Sequence, residues 1–62
     1  MQTILEEYYK NIYGQYQYKT LFKTEDYFEA ETFLKSVKSN NRIELWDSIN
    51  AELLAVKPAI GA

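Results

Sequence analysis

Residues 24–47, TEDYFEAETFLKSVKSNNRIELWD, contain a helix, a stop and a strand in immediate succession. Thr24 suits an N-cap, because its hydroxyl can accept a bond from an orphan backbone N–H. Glu25 to Lys38 are expected to fill the helix. Glu25, Asp26, Glu29 and Glu31 come early in it, and Lys35, Lys38 and Arg42 come at or after its end. That order matches acid to the positive and base to the negative end of the helix dipole. Glu31 and Lys35 stand four apart, in the favoured orientation for a helical pair. Tyr27, Phe28, Ala30, Phe33, Leu34 and Val37 recur at spacings of three and four and trace one apolar stripe. Asn40-Asn41 tolerates left-handed backbone and ends the helix. Arg42 to Asp47 then alternates as a half-buried strand does.

Upstream, Gln15 to Lys23 alternates along a strand. Tyr16, Tyr18, Thr20 and Phe22 face one way, and Gln15, Gln17, Lys19, Leu21 and Lys23 the other. Residues 3–13 read as a first helix. Ile4, Tyr8 and Ile12 form one row, Leu5, Tyr9 and Tyr13 the next, and Gly14 stands where a helix commonly stops. Tyrosine also favours strands, so an N-terminal strand is the competing reading. Downstream, Asp47 to Asn50 can turn the chain so that 51–57 returns as a strand against 42–47. The alternative is a short helix over 48–56, favoured by Ala, Glu and Leu. Pro58 ends either element, and 59–62 reads as a frayed tail.

The expected architecture is therefore α+β, in the order α-β-α-β-β. A three-stranded, mainly antiparallel sheet packs on the central helix as one domain over residues 1–58. Phe22, Phe28, Phe33, Leu34, Val37, Leu45 and Leu53 are the expected core.

At 62 residues such a chain buries only about 60% of its unfolded surface. It has no Cys and no His, which excludes disulfides, thiolate and imidazole metal sites, cysteine nucleophiles and the commonest general base. Ser36, Ser39 and Ser48 have no histidine partner, and Gly14 and Gly61 alone make no phosphate-cradling loop. The pairs Glu6-Glu7 and Glu25-Asp26 point to different faces of a helix, and Glu29 and Glu31 lie about 200° apart on one. No catalytic residue, metal ligand or cofactor is expected. A net charge of −2 argues against a broad phosphate-binding surface. The N-terminal stretch has early acids and no apolar run, and no segment approaches the roughly 18 apolar residues of a membrane span. The expectation is a soluble, cytoplasmic protein.

What chemistry leaves out, aromatic content supplies. Six of the 62 residues are tyrosine, and Tyr8, Tyr9, Tyr13, Tyr16 and Tyr18 fall within one short stretch. Three uses compete: filling the core edge, forming a protein interface, and stacking single-stranded bases. The first two weigh more, since Lys19 and Lys23 alternate away from Tyr16 and Tyr18. The expected role is a non-catalytic module that occupies a surface of a larger protein. Tyr9, Tyr13, Tyr16, Tyr18 and Trp46 are its contact residues, and the acidic helix start, Glu25, Asp26 and Glu29, is a second surface. The alternatives are a single-stranded nucleic-acid binder and a subunit that pairs with its own copy. In size, plan and lack of chemistry the chain resembles short phage-encoded proteins that bind a host machine. That resemblance implies an inhibitor of a host protein complex.

Overall fold

A computed structural model describes residues 1–60 of the chain. The elements are β1 (Thr3–Lys10), β2 (Tyr16–Thr24), α1 (Tyr27–Ser36), β3 (Arg42–Asp47) and β4 (Glu52–Lys57). The fold is α+β with one helix on a four-stranded antiparallel sheet of order β2-β1-β3-β4. The first helix expected over 3–13 is a strand, and it occupies the centre of the sheet. The return strand after residue 51 is present, and 48–56 is not helical.

β1 carries apolar and acidic residues on both faces, so its pattern satisfies a helical and a strand period alike. Pairing decides between them: β1 is hydrogen-bonded to β2 on one side and β3 on the other. Gly14 adopts φ +80°, the left-handed backbone that glycine enters without a Cβ penalty. It uses that freedom in a hairpin, not at a helix end. There the Asn11 carboxamide oxygen accepts the N–H groups of Tyr13 (2.9 Å) and Gln15 (3.0 Å).

β2 and β3 both run antiparallel to β1, hence parallel to each other, and parallel strands need a crossover. α1 is that crossover, and it is shorter than expected. Its N-cap is Asp26, whose carboxylate accepts the N–H groups of Phe28 (2.9 Å) and Glu29 (3.3 Å). Thr24 instead accepts the Asp26 N–H at 3.1 Å. A carboxylate caps as a hydroxyl does and adds a charge suited to the positive helix end. The Glu31–Lys35 pair forms, at 3.5 Å. The helix ends at Val37, leaving Lys38 outside it.

The core is Leu5, Ala30, Leu34, Ile43 and Leu45. Phe22, Phe33 and Val37 pack against it, with the Phe22 and Phe33 rings stacked at 4.6 Å. Two expected core residues are exposed, Phe28 at 76% and Leu53 at 41%. Phe28 stands about 200° from Ala30 around the helix, off the stripe that meets the sheet. Leu53 is opposite Trp46, on the face without the helix.

Both edge strands carry one extra residue. Consecutive Leu5 and Glu6 pair with Phe22 and Thr20, which makes Leu21 the additional residue on β2. Consecutive Leu45 and Trp46 pair with Ala55 and Leu53, which makes Leu54 the additional residue on β4. Such bulges let two neighbouring side chains share a face. Leu21 with Phe22, and Leu54 with Ala55, all pack on the core. The strict alternation expected for 15–23 therefore breaks at Leu21: Phe22 leaves the face of Tyr16, Tyr18 and Thr20, and Lys23, expected on the opposite face, joins it.

Lys57 Nζ donates to the Val37 carbonyl at 2.6 Å and ties the helix end to β4. Of the tail expected over 59–62, Gly61 and Ala62 lie outside the described residues. The Ile60 N–H donates to the Asn40 carbonyl at 2.9 Å. No helix among the described residues is long and apolar enough to cross a membrane.

Leu45→Ala should cost about 2–5 kcal/mol, a large share of the stability of so small a domain. Phe28→Ala should fall within about 0.5 kcal/mol of the parent. Urea unfolding of both variants checks this; equal losses would mean the helix packs by a different face.

Candidate protein-binding face

α1 covers the side of the sheet that carries Leu5, Ile43 and Leu45. Alternation sends Ile4, Glu6, Tyr8 and Lys10 of β1 to the other side. The register adds Tyr16, Tyr18, Thr20 and Lys23 from β2, then Arg42, Glu44 and Trp46 from β3. This open face gathers four aromatic side chains. Tyr8 stacks on Tyr16 with centroids 5.0 Å apart and planes 6° from parallel, and meets Tyr18 at 4.8 Å. Lys10 Nζ lies 5.8 Å from the centre of the Tyr16 ring. Tyr16 and Tyr18 remain 61% and 56% exposed.

The expected contact residues divide among several places. Tyr16, Tyr18 and Trp46 share the open face. Tyr8, left out of the expected set, joins them. Tyr9 takes the opposite side of β1, where its hydroxyl donates to Gln17 Oε1 at 3.3 Å. Tyr13 stands exposed at the hairpin tip. Asp26 is occupied in capping α1, and Glu25 and Glu29 flank that cap on the helix layer, away from the aromatic face. The signal that finds Tyr8 is parity: in a strand it goes with Ile4 and Glu6, and Tyr9 goes with Leu5.

Polar groups organise this face from beneath. Glu44 is only 5% exposed. Its carboxylate accepts from Arg42 Nε at 2.7 Å and from Trp46 Nε1 at 2.8 Å. Burial alone would raise its pKa, but the bonds from Arg42 and Trp46, with the Arg42 charge, hold it below the ordinary value. Loss of solvent, and then the Glu44 charge, push the Tyr18 phenol above its ordinary value. Among the described residues, Glu6 accepts only from the Thr20 hydroxyl, at 3.1 and 3.2 Å. Ile4, Glu6, Tyr18, Trp46 and Ala51 line a shallow groove at the β3–β4 end of the face.

Two further carboxylates hold the frame. Glu7 accepts from Ser39 Oγ at 2.5 Å and Asn41 Nδ2 at 3.0 Å, which join β1 to the loop after α1 and lower its pKa. Asp47 accepts from the Asn50 side chain at 2.9 Å and from the N–H groups of Ile49 and Asn50. These bonds, the Asn50 side chain first, lower its pKa too. Among the described residues, no three acidic side chains converge as metal ligands would.

Comparisons with protein-family models, with curated proteins and with solved structures give no match for this chain.

Glu7, Glu44 and Asp47 are each stronger acids folded than unfolded, so each stabilises the fold when ionised. That stabilisation is complete above the ordinary carboxylate range, about pH 4–4.5, and is lost as pH falls through the folded values. Urea midpoints should be level from neutral pH to about pH 5 and then fall. Glu7→Gln and Glu44→Gln should each make the fall shallower. An unchanged acid slope in both variants would contradict these assignments.

Proposed function

We propose that the chain is a non-catalytic protein-binding module that occupies a surface of a larger protein through the open face of its sheet. The supporting observation is the gathering of Tyr8, Tyr16, Tyr18 and Trp46 on the one sheet face that the helix leaves uncovered. Tyrosine and tryptophan supply large contact area at low conformational cost, and they dominate interface hot spots. The rings are also braced in advance. Tyr8 and Tyr16 support each other, and the Trp46 N–H is held by Glu44. Less side-chain freedom is then lost when a partner arrives. A phage-type inhibitor that blocks a host complex is one form of such a module.

A base-stacking role draws less support. Tyr8 and Tyr16 spend ring faces on each other, and Arg42 is engaged with Glu44. Glu6 and Glu44 on the same surface offset Lys10 and Lys23 there, which leaves no strongly basic patch for phosphates.

Tyr16→Ala with Tyr18→Ala should leave the amide spectrum of a folded chain and weaken capture of the partner by at least about tenfold, the scale of a lost hot spot. A folded double variant that captures normally would remove the open face as the interface. Parent chain whose fluorescence is quenched by oligonucleotides at about 50 mM salt would turn the assignment to nucleic acid. Mass doubling with concentration would turn it to self-association.

A further inference from the structure

The groove beside Trp46 combines two features that call for one kind of ligand group. Its walls are aromatic and aliphatic, from Tyr18, Trp46 and Ile4, and its rim holds the Glu6 carboxylate. An ionised carboxylate offers about four acceptor positions. Among the described residues, the bonds to Glu6 come from the Thr20 hydroxyl alone. Among the described residues the ion pairs are Lys35–Glu31 and Arg42–Glu44, so no lysine or arginine is paired with Glu6. Of the cations on this side of the sheet, Arg42 is committed to Glu44 at 2.7 Å, and Lys23, opposite Ile4, forms no ion pair with Glu6 among the described residues.

The indole donor beside the groove is spent as well. The Trp46 indole N–H points inward to Glu44, so Trp46 offers a partner its ring and no hydrogen bond. An anion entering the groove would meet Glu6, Asp47 and the field of Glu44. A neutral apolar group would fill the walls and leave Glu6 facing a dry contact without a partner, which is costly. A cation on a long apolar stem meets every requirement. Its stem lies along Ile4 and the rings, and its charge reaches both the π-faces and Glu6. Guanidinium fits better than ammonium, being planar, weakly hydrated and able to stack while it donates to a carboxylate in a fork.

We propose that the groove formed by Ile4, Glu6, Tyr18 and Trp46 is a receptor for an arginine side chain presented by the partner protein. This deepens the reading of the open face as a protein interface and rests on it.

The test titrates the full chain with acetyl-Gly-Arg-Gly-amide and its citrulline and norleucine counterparts, to about 50 mM, since a single anchor binds in the millimolar range. Amide and indole resonances are followed by NMR. The arginine peptide should move the Trp46 indole N–H and the amides around Ile4, Glu6 and Ala51. It should bind about tenfold more tightly than the citrulline peptide. Glu6→Gln, which keeps an acceptor for Thr20, should erase most of that preference while its spectrum stays that of the folded chain. Equal binding of citrulline or norleucine, arginine shifts centred elsewhere, or no shifts at all would overturn the arginine receptor. So would a folded Glu6→Gln chain with its preference intact. None of those results touches the wider interface, which stands or falls on whether the Tyr16/Tyr18 variant still captures its partner.

Discussion

Leu5 lies opposite Phe22 on one neighbouring strand and Leu45 on the other, and it is fully buried beneath the helix. Three segments far apart in sequence meet at that one side chain. Ala30, also fully buried, gives the helix a bulk-free contact over the core cluster. Fully burying one leucine contributes about 1.5–3 kcal/mol, against a total stability of about 5–15 kcal/mol for a typical domain. A handful of such contacts therefore decides whether this fold exists. They also decide what is left over. One ten-residue helix can cover one side of a four-stranded sheet, so the aromatic side is uncovered because the chain has no second helix among its described residues.

The uncovered side is not left soft. Arg42, Glu44 and Trp46 are alternate residues of one strand, and their side chains bond in a row across its surface. The central carboxylate is buried under its neighbours, yet no buried side-chain nitrogen or oxygen lacks a partner among the described residues. An unpaired buried charge would be costly, but this one is bonded on both sides. The same carboxylate fixes the orientation of the indole, so the polar row is what gives the aromatic surface a definite shape.

The existence of the helix, the strand at 42–47 and the hairpin at its end was legible, because each has a local cause in a stripe, an alternation or a turn residue, while the cap fell two residues from its expected place, at Asp26 in place of Thr24. The first strand was not. Ile4, Tyr8 and Ile12 satisfy a helical row, while Thr3, Leu5, Glu7 and Tyr9 satisfy a strand face equally well. Only pairing with two distant strands separates the readings. Gly14 could not arbitrate, since a helix end and a hairpin both need left-handed backbone there. That one error of period carried into the site. It placed Tyr9 among the contacts and left Tyr8 out, because a strand sends neighbours to opposite sides. Leu5 and Ile43 were missed from the core for the same reason: β1 supplies one and positions the other. The bulges at Leu21 and Leu54 have no signature in the residues themselves, and they reversed the side assigned to Phe22.

Those two bulges bear on how the chain behaves when crowded with its own kind. A sheet rich in tyrosine and leucine, with two outer strands, has the ingredients for endless strand-on-strand growth. Each outer strand here is interrupted by an inserted residue, at Leu21 on one side and Leu54 on the other. A further strand cannot dock in continuous register across either interruption, and the extra local twist turns the rim away from a flat neighbour. Strand-on-strand growth is thus disfavoured at both borders by the same residues that pack on the core.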